Sequence, residues 1–175
     1  TALVFSLILG NYMIRILKKF QIGEKIRDDG PEHHALKSGT PTMGGLLILT
    51  TFLGSTLLWA NLENRYIWLI ILSVIGFGLI GFRDDILKLR KGNGISAREK
   101  FLLQILVSLG IGIYLLYFDP GRAEYATRLS VPFFKEFQPD LGFLYLLFIV
   151  FIIVGTSNAV NLTDGLDGLA IGPII

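Results

Sequence analysis

Asp84 and Asp85 stand side by side directly after Phe82 and Arg83, which follow a run of 16 uncharged residues from Tyr66 to Gly81. Two adjacent carboxylates raise each other's pKa. They also offer hard oxygens to Mg²⁺, which takes one or two protein carboxylates and completes its shell with phosphates or water. A plainer reading is a solvated helix end. A helix stopping at Phe82 would set both aspartates against its negative dipole end, with Arg83 and Lys88 to offset the charge. A second cluster weighs against that reading. Asn158, Asn161, Asp164 and Asp167 recur every three residues, and Gly165 and Gly168 follow the two aspartates. Asp-Gly alone is an ordinary turn signal. Two in tandem, preceded by two asparagines, suit a ligand that must approach the backbone closely. A third cluster, "DDGPEHHALKSGTPTMGG" at 28–45, adds Lys37 as a point charge for phosphate. It also adds Thr40, Pro41, Thr42 and several glycines as a tight polar turn. His33 and His34 have no further histidine to join them and read as interfacial residues rather than metal ligands.

The elements that must position these groups are apolar. Of 175 residues, 52% are hydrophobic, and the mean hydropathy is +0.61. Few soluble domains of this size are so apolar. A bilayer core of about 30 Å takes roughly 20 apolar residues per helix. Five stretches approach that length: 1–17, 43–60, 66–82, 101–118 and 143–160. The expectation is a polytopic, all-α transmembrane protein forming one integral-membrane domain over 1–175. The first stretch lacks a basic leader and cleavage site, so it is expected to be the tail of a span that begins upstream. Glycines within the stretches suit close helix packing in lipid. There is no cysteine, which excludes a disulfide framework and thiol chemistry.

Charge sets the orientation. The linkers 18–42 and 83–100 hold eleven Lys and Arg, whereas 61–65 and 119–142 hold four. The positive-inside rule makes the first pair cytoplasmic. All three polar clusters then share the cytoplasmic face. Trp59, Tyr66, Trp68, Tyr114 and Tyr117 fall toward the opposite ends of their spans, as an aromatic belt would. The stretch "KLRKGNGISAREK" reads mostly as a solvated loop facing lipid headgroups, except Lys100 where the fourth span begins.

With "GPEHHALKSGTPTMGG", "GFRDDILK" and "NAVNLTDGLDGLA" in this order, the chain resembles the polyprenyl-phosphate N-acetylhexosamine-1-phosphate transferase superfamily. Within it, "GTPTMGG" resembles the bacterial phospho-N-acetylmuramoyl-pentapeptide transferase family. The resemblance implies a Mg²⁺-dependent enzyme of ten membrane helices, usually dimeric, in the bacterial inner membrane with a cytoplasmic active site. It implies transfer of phospho-N-acetylmuramoyl-pentapeptide from UDP to undecaprenyl phosphate, giving lipid I and UMP, the first membrane step of peptidoglycan synthesis. By motif, Asp84 and Asp85 match the catalytic acidic pair. Lys37, Thr42, Lys100, Asn158, Asn161, Asp164, Gly165 and Asp167 match positions of the nucleotide-sugar site. Asp84, Asp85 and Asp164 are the implied metal ligands, joined by one beyond residue 175. Arg83 is not implied to be catalytic. The family continues for five more helices, with a further metal-binding aspartate and a His-rich loop. The expectation is therefore an N-terminal half, inactive alone and completed by a C-terminal half.

Three other functions compete. A sister transferase would move N-acetylglucosamine-1-phosphate, and "GTPTMGG" argues against it. A non-catalytic membrane scaffold is a further reading of the fragment itself. An ion-coupled carrier would hold its carboxylates near the bilayer midplane on broken helices, whereas every acidic residue here lies in a linker or at a span end.

Overall fold

A computed structural model describes residues 1–19, 43–118, 127–134 and 136–163. Among them are five helices, one in each predicted place: α1 (Ala2–Lys19), α2 (Gly45–Trp59), α3 (Arg65–Lys91), α4 (Ala97–Tyr117) and α5 (Leu144–Thr163). No strand forms among the described residues; the nearest approach is an isolated antiparallel bridge between Arg128 and Asp140. Helices α3, α4 and α5 are each long and apolar enough to cross a membrane. With 15 residues, α2 reaches only about 22 Å, and α1, interrupted by Asn11 and Arg15, is not among the three.

The main departure from the expected boundaries is at the end of α3. The helix does not stop at Phe82 but continues for nine residues to Lys91. Nothing in "RDDILKLRK" breaks a helix, and Lys88, Arg90 and Lys91 in the last turn complement its negative end. Termination waits for Gly92, whose φ of 76° places it in the left-handed region and whose N–H donates to the Lys88 carbonyl. The start of α3 is set by Asn64, whose side-chain oxygen accepts from the Tyr66 N–H at 2.9 Å. Trp68 closes the turn before it, with Nε1 donating to the Leu62 carbonyl. Helix α4 begins four residues earlier than expected, because Ser96 caps it by accepting from the Glu99 N–H at 3.2 Å. Before α5, Asp140 accepts from the Thr127 hydroxyl at 2.6 Å and the Gly142 N–H at 2.9 Å. These bonds hold its carboxyl below the ordinary value and tie both ends of the 127–142 loop together.

The chain divides into two units, Thr1–Lys100 and Phe101–Ile175, with the division inside the first turn of α4. In the first, α1 packs on α2 and α2 on α3. Gly78 of α3 makes this approach close: a Cβ there would lie 2.8 Å from Leu49 Cδ1. In the second, Gly112 of α4 receives Leu146 of α5 in the same way, at 2.6 Å. Small residues that let backbones come together are the packing device of membrane helices. Hydroxyls within the helices turn back on their own carbonyls, as Ser73 does on Leu69 and Thr156 on Ile152. That satisfies them where no water is present. The pattern of burial is inverted relative to a soluble protein. Ser108 and Gln104 are buried, at 0% and 3% exposure, whereas Trp59 and Phe151 are 77% and 73% exposed. Apolar side chains turned outward on span-length helices fit a lipid surround, and we describe the chain as a membrane protein.

Candidate active site at the end of α3

The extension of α3 carries the acidic pair beyond the apolar stretch that ends at Phe82. Asp84 is buried, at 7% exposure; Asp85 is half-buried. Asp84 sits in a cluster built entirely from the α3–α4 corner. Its Oδ1 accepts from the Ile95 backbone N–H at 2.9 Å. Its Oδ2 lies 2.8 Å from Lys88 Nζ, one turn along the helix, and 3.9 Å from Lys100 Nζ in the first turn of α4. Lys88 Nζ also stands 3.8 Å from Asp85 Oδ1. Gly94 lies against the Asp84 carboxylate so closely that a Cβ would overlap Oδ1.

The corner is closed by a second ion pair, Arg83 Nη2 to Glu99 Oε1 at 2.6 Å. Arg83 thereby joins α3 to the first turn of α4. The neighbouring aspartates are in opposite electrostatic states. For Asp84, burial acts upward. It is outweighed by the hydrogen bonds from Lys88 and the Ile95 N–H and by the charges of Lys88 and Lys100, so its carboxyl is held below the ordinary value. For Asp85, burial again acts upward, Lys88 opposes it, and the charge of Asp84 adds to the rise; its carboxyl is pushed up. The mutual elevation expected of adjacent carboxylates thus holds for Asp85 only, because Asp84 takes the better share of the cations.

On α5, Asn158 and Asn161 lie in the last two turns. The Asn158 amide nitrogen donates to Gln104 Oε1 and to the Val154 carbonyl, each at 2.8 Å. Asn161 is exposed. Lys37, Thr42, Asp164, Gly165 and Asp167 lie outside the described residues, as do His33 and His34. Of the candidate residues, the structure brings together Asp84, Asp85 and Lys100. It adds three that sequence reading did not assign to the site: Lys88, Gly94 and the Ile95 N–H. Lys88 was legible as a counter-charge four residues from Asp84. The other two were not, since a backbone N–H leaves no residue-type signal.

A Mg²⁺ ion would find two carboxylates here. Among the described residues there is no group of three or more His, Cys, Asp and Glu side chains that could hold a metal. Two carboxylates fit Mg²⁺ when phosphates or further ligands complete the shell.

The corner gathers two carboxylates and two ammonium groups at the end of a span-length helix. Residues 67–175 match the model for glycosyl transferase family 4, and the chain belongs to that family. Residues 37–49 match the phospho-N-acetylmuramoyl-pentapeptide-transferase signature 1. Relatives named phospho-N-acetylmuramoyl-pentapeptide-transferase include one from Desulforapulum autotrophicum, 55% identical over 100% of this chain, and one from Geobacter sp. (strain M21), 51% identical over 99% of it. A third, from Desulfotalea psychrophila, is 52% identical over 99%. The chain spans about half the length of the curated relatives it matches, 48% in each case.

Proposed function

We propose that this chain supplies the acidic half-site of a phospho-N-acetylmuramoyl-pentapeptide transferase of the bacterial inner membrane. In this reading it moves the phospho-sugar from UDP to undecaprenyl phosphate, releasing UMP and leaving lipid I. The observation that carries the reading is the buried, doubly cation-paired Asp84 just past the apolar stretch of α3, in a chain with relatives of that name. Phosphoryl transfer is mostly positioning and charge neutralisation. One substrate is a lipid headgroup and the other a soluble nucleotide, so the reacting groups belong at the cytoplasmic edge of the spans.

Asp84 is the group that activates the lipid phosphate, with Asp85 beside it. Lys88 and Lys100 hold positive charge where the phosphates must meet. Lys37, Thr42, Asn158, Asn161, Asp164, Gly165 and Asp167 bind the nucleotide-sugar. Asp84, Asp85 and Asp164 hold Mg²⁺ together with a ligand from a C-terminal half, and a second copy completes a homodimer. A bound Mg²⁺ would supply charge neutralisation at the phosphates. The test is UMP release from the UDP-linked muramoyl-pentapeptide by the full-length protein, with undecaprenyl phosphate and Mg²⁺. Asp84→Asn is expected to lower kcat by about 10³-fold or more, as for a group acting in the transition state. Near-normal turnover by a folded Asp84→Asn protein would reduce the cluster to a helix-end feature.

A further inference from the structure

The loop between α3 and α4 does more than connect them. Asp84 is a short side chain, and its carboxylate is gripped at both oxygens by different elements. Oδ2 faces the ammonium groups of Lys88 and Lys100, at 2.8 and 3.9 Å. Oδ1 is bound by a backbone donor, the Ile95 N–H, at 2.9 Å. The donor reaches it because residue 94 has no side chain: a Cβ on Gly94 would occupy the place of Oδ1 and crowd Lys88 Cε at 3.0 Å. Gly94 is not needed for its backbone conformation. Among the described residues, the glycines with positive φ are Gly92 and Gly142. Glycine at 94 is therefore explained by the approach of Asp84, whereas glycine at 92 is explained by the end of α3.

We infer that Gly94 and the Ile95 N–H form a latch that positions Asp84, fixing Oδ1 so that Oδ2 is presented to Lys88, Lys100 and the substrate phosphate. Gly94 is a positioning residue that acts through Asp84, and the inference rests on the reading of Asp84 as the acting carboxylate. A backbone donor suits this work. An N–H held in a capped corner cannot rotate away as a side chain can, and the Arg83–Glu99 pair and the Ser96 cap brace the corner on either side. A displacement of about 1 Å at a reacting group can cost on the order of 10²-fold in rate.

The experiment compares Gly94→Ala with Gly92→Ala in the full-length protein. Gly92→Ala strains a left-handed position with nothing within 4 Å of the new Cβ. It is a control for loss of helix capping alone. Gly94→Ala is expected to lower kcat by about 10- to 100-fold with KM for both substrates little changed, and to speed hydrogen exchange at the Ile95 amide. Gly92→Ala is expected to lower the melting temperature while keeping kcat. If Gly94→Ala does not fold, replacing the Ile95 peptide N–H by an ester oxygen removes the donor with the side chain retained, and the same fall in kcat is expected. Wild-type kcat in either variant at the latch would overturn the inference. So would equal losses of kcat in Gly94→Ala and Gly92→Ala, which would make the effect one of folding. Failure of the underlying reading looks different. In that case Asp84→Asn keeps its turnover, and the Ile95 amide still reports whether the latch exists.

Discussion

At the residue scale, Asp84 and Asp85 differ by one position and behave as opposites. Asp84 faces inward to Lys88, Lys100 and the Ile95 N–H, and its pKa is lowered. Burial pushes the Asp85 carboxyl up, Lys88 at a longer distance opposes this only in part, and the charge of Asp84 adds to the rise. The consequences for stability have opposite signs. The contribution of Asp84 is complete above the ordinary carboxyl pKa and is lost as the pH falls through its lower folded value. Asp84→Asn, which keeps an oxygen for the Ile95 N–H, should therefore lower the melting temperature at pH 7, and the gap should narrow toward pH 3. Asp85 carries a cost at neutral pH that disappears as the pH falls below its ordinary value. Asp85→Asn should be neutral or slightly stabilising at pH 7, with no advantage left at pH 3. Thermal unfolding in detergent at the two pH values checks both. A pair of variants with the same pH dependence would contradict the asymmetry.

At the element scale, stability rests on a few places where a missing side chain lets helices meet. Leu49 of α2 enters the space left by Gly78, and Leu146 of α5 enters that left by Gly112. Leucine tips can shift, but both lie in packed seams, so Gly78→Val and Gly112→Val are each expected to cost about 1–3 kcal/mol through overpacking. Gly110 is the comparison within α4, with nothing within 4 Å of an added Cβ. Gly110→Ala should gain up to about 1 kcal/mol from reduced backbone freedom in the unfolded chain. Equal effects at 110 and 112, measured by denaturant unfolding in mixed micelles, would mean that the Gly112 seam is not a packing contact. The Asn158–Gln104 hydrogen bond is a second link between α4 and α5. The Asn158 amide nitrogen donates both of its hydrogen bonds within the protein.

At the scale of the whole molecule, the question is which ends of the helices face which compartment. Eleven of the Lys and Arg residues lie in the two linkers assigned to the cytoplasm, and four in the opposite ones. The rule that positive loops stay inside supports the proposed orientation, with the end of α3 and the start of α4 toward the cytoplasm. Single cysteines at positions 91 and 128 should react with a membrane-impermeant maleimide from opposite sides, 91 only after the cytoplasmic face is opened. Labelling of both from one side would refute this topology and move the acidic pair away from the nucleotide.

The sequence by itself determined the helical spans and the place of the acidic pair along them. Hydropathy is a property of contiguous residues, and a bilayer sorts it by length alone; this is why all five helices fall where apolar runs predict them. It determined the family as well, because "GFRDDILK" and "GTPTMGG" carry their meaning in residue order. The tertiary structure decided what surrounds Asp84. Where α3 stops depends on Gly92 taking a left-handed φ rather than on where the apolar run ends, so Asp84 lies within the helix and not at its end. Its partners then come from the capped corner between α3 and the first turn of α4. Lys100 is sixteen residues away in the chain, and the Ile95 donor is a peptide N–H that every non-proline residue possesses. Proximity of that kind is created by the turn of the backbone, and no residue type announces it.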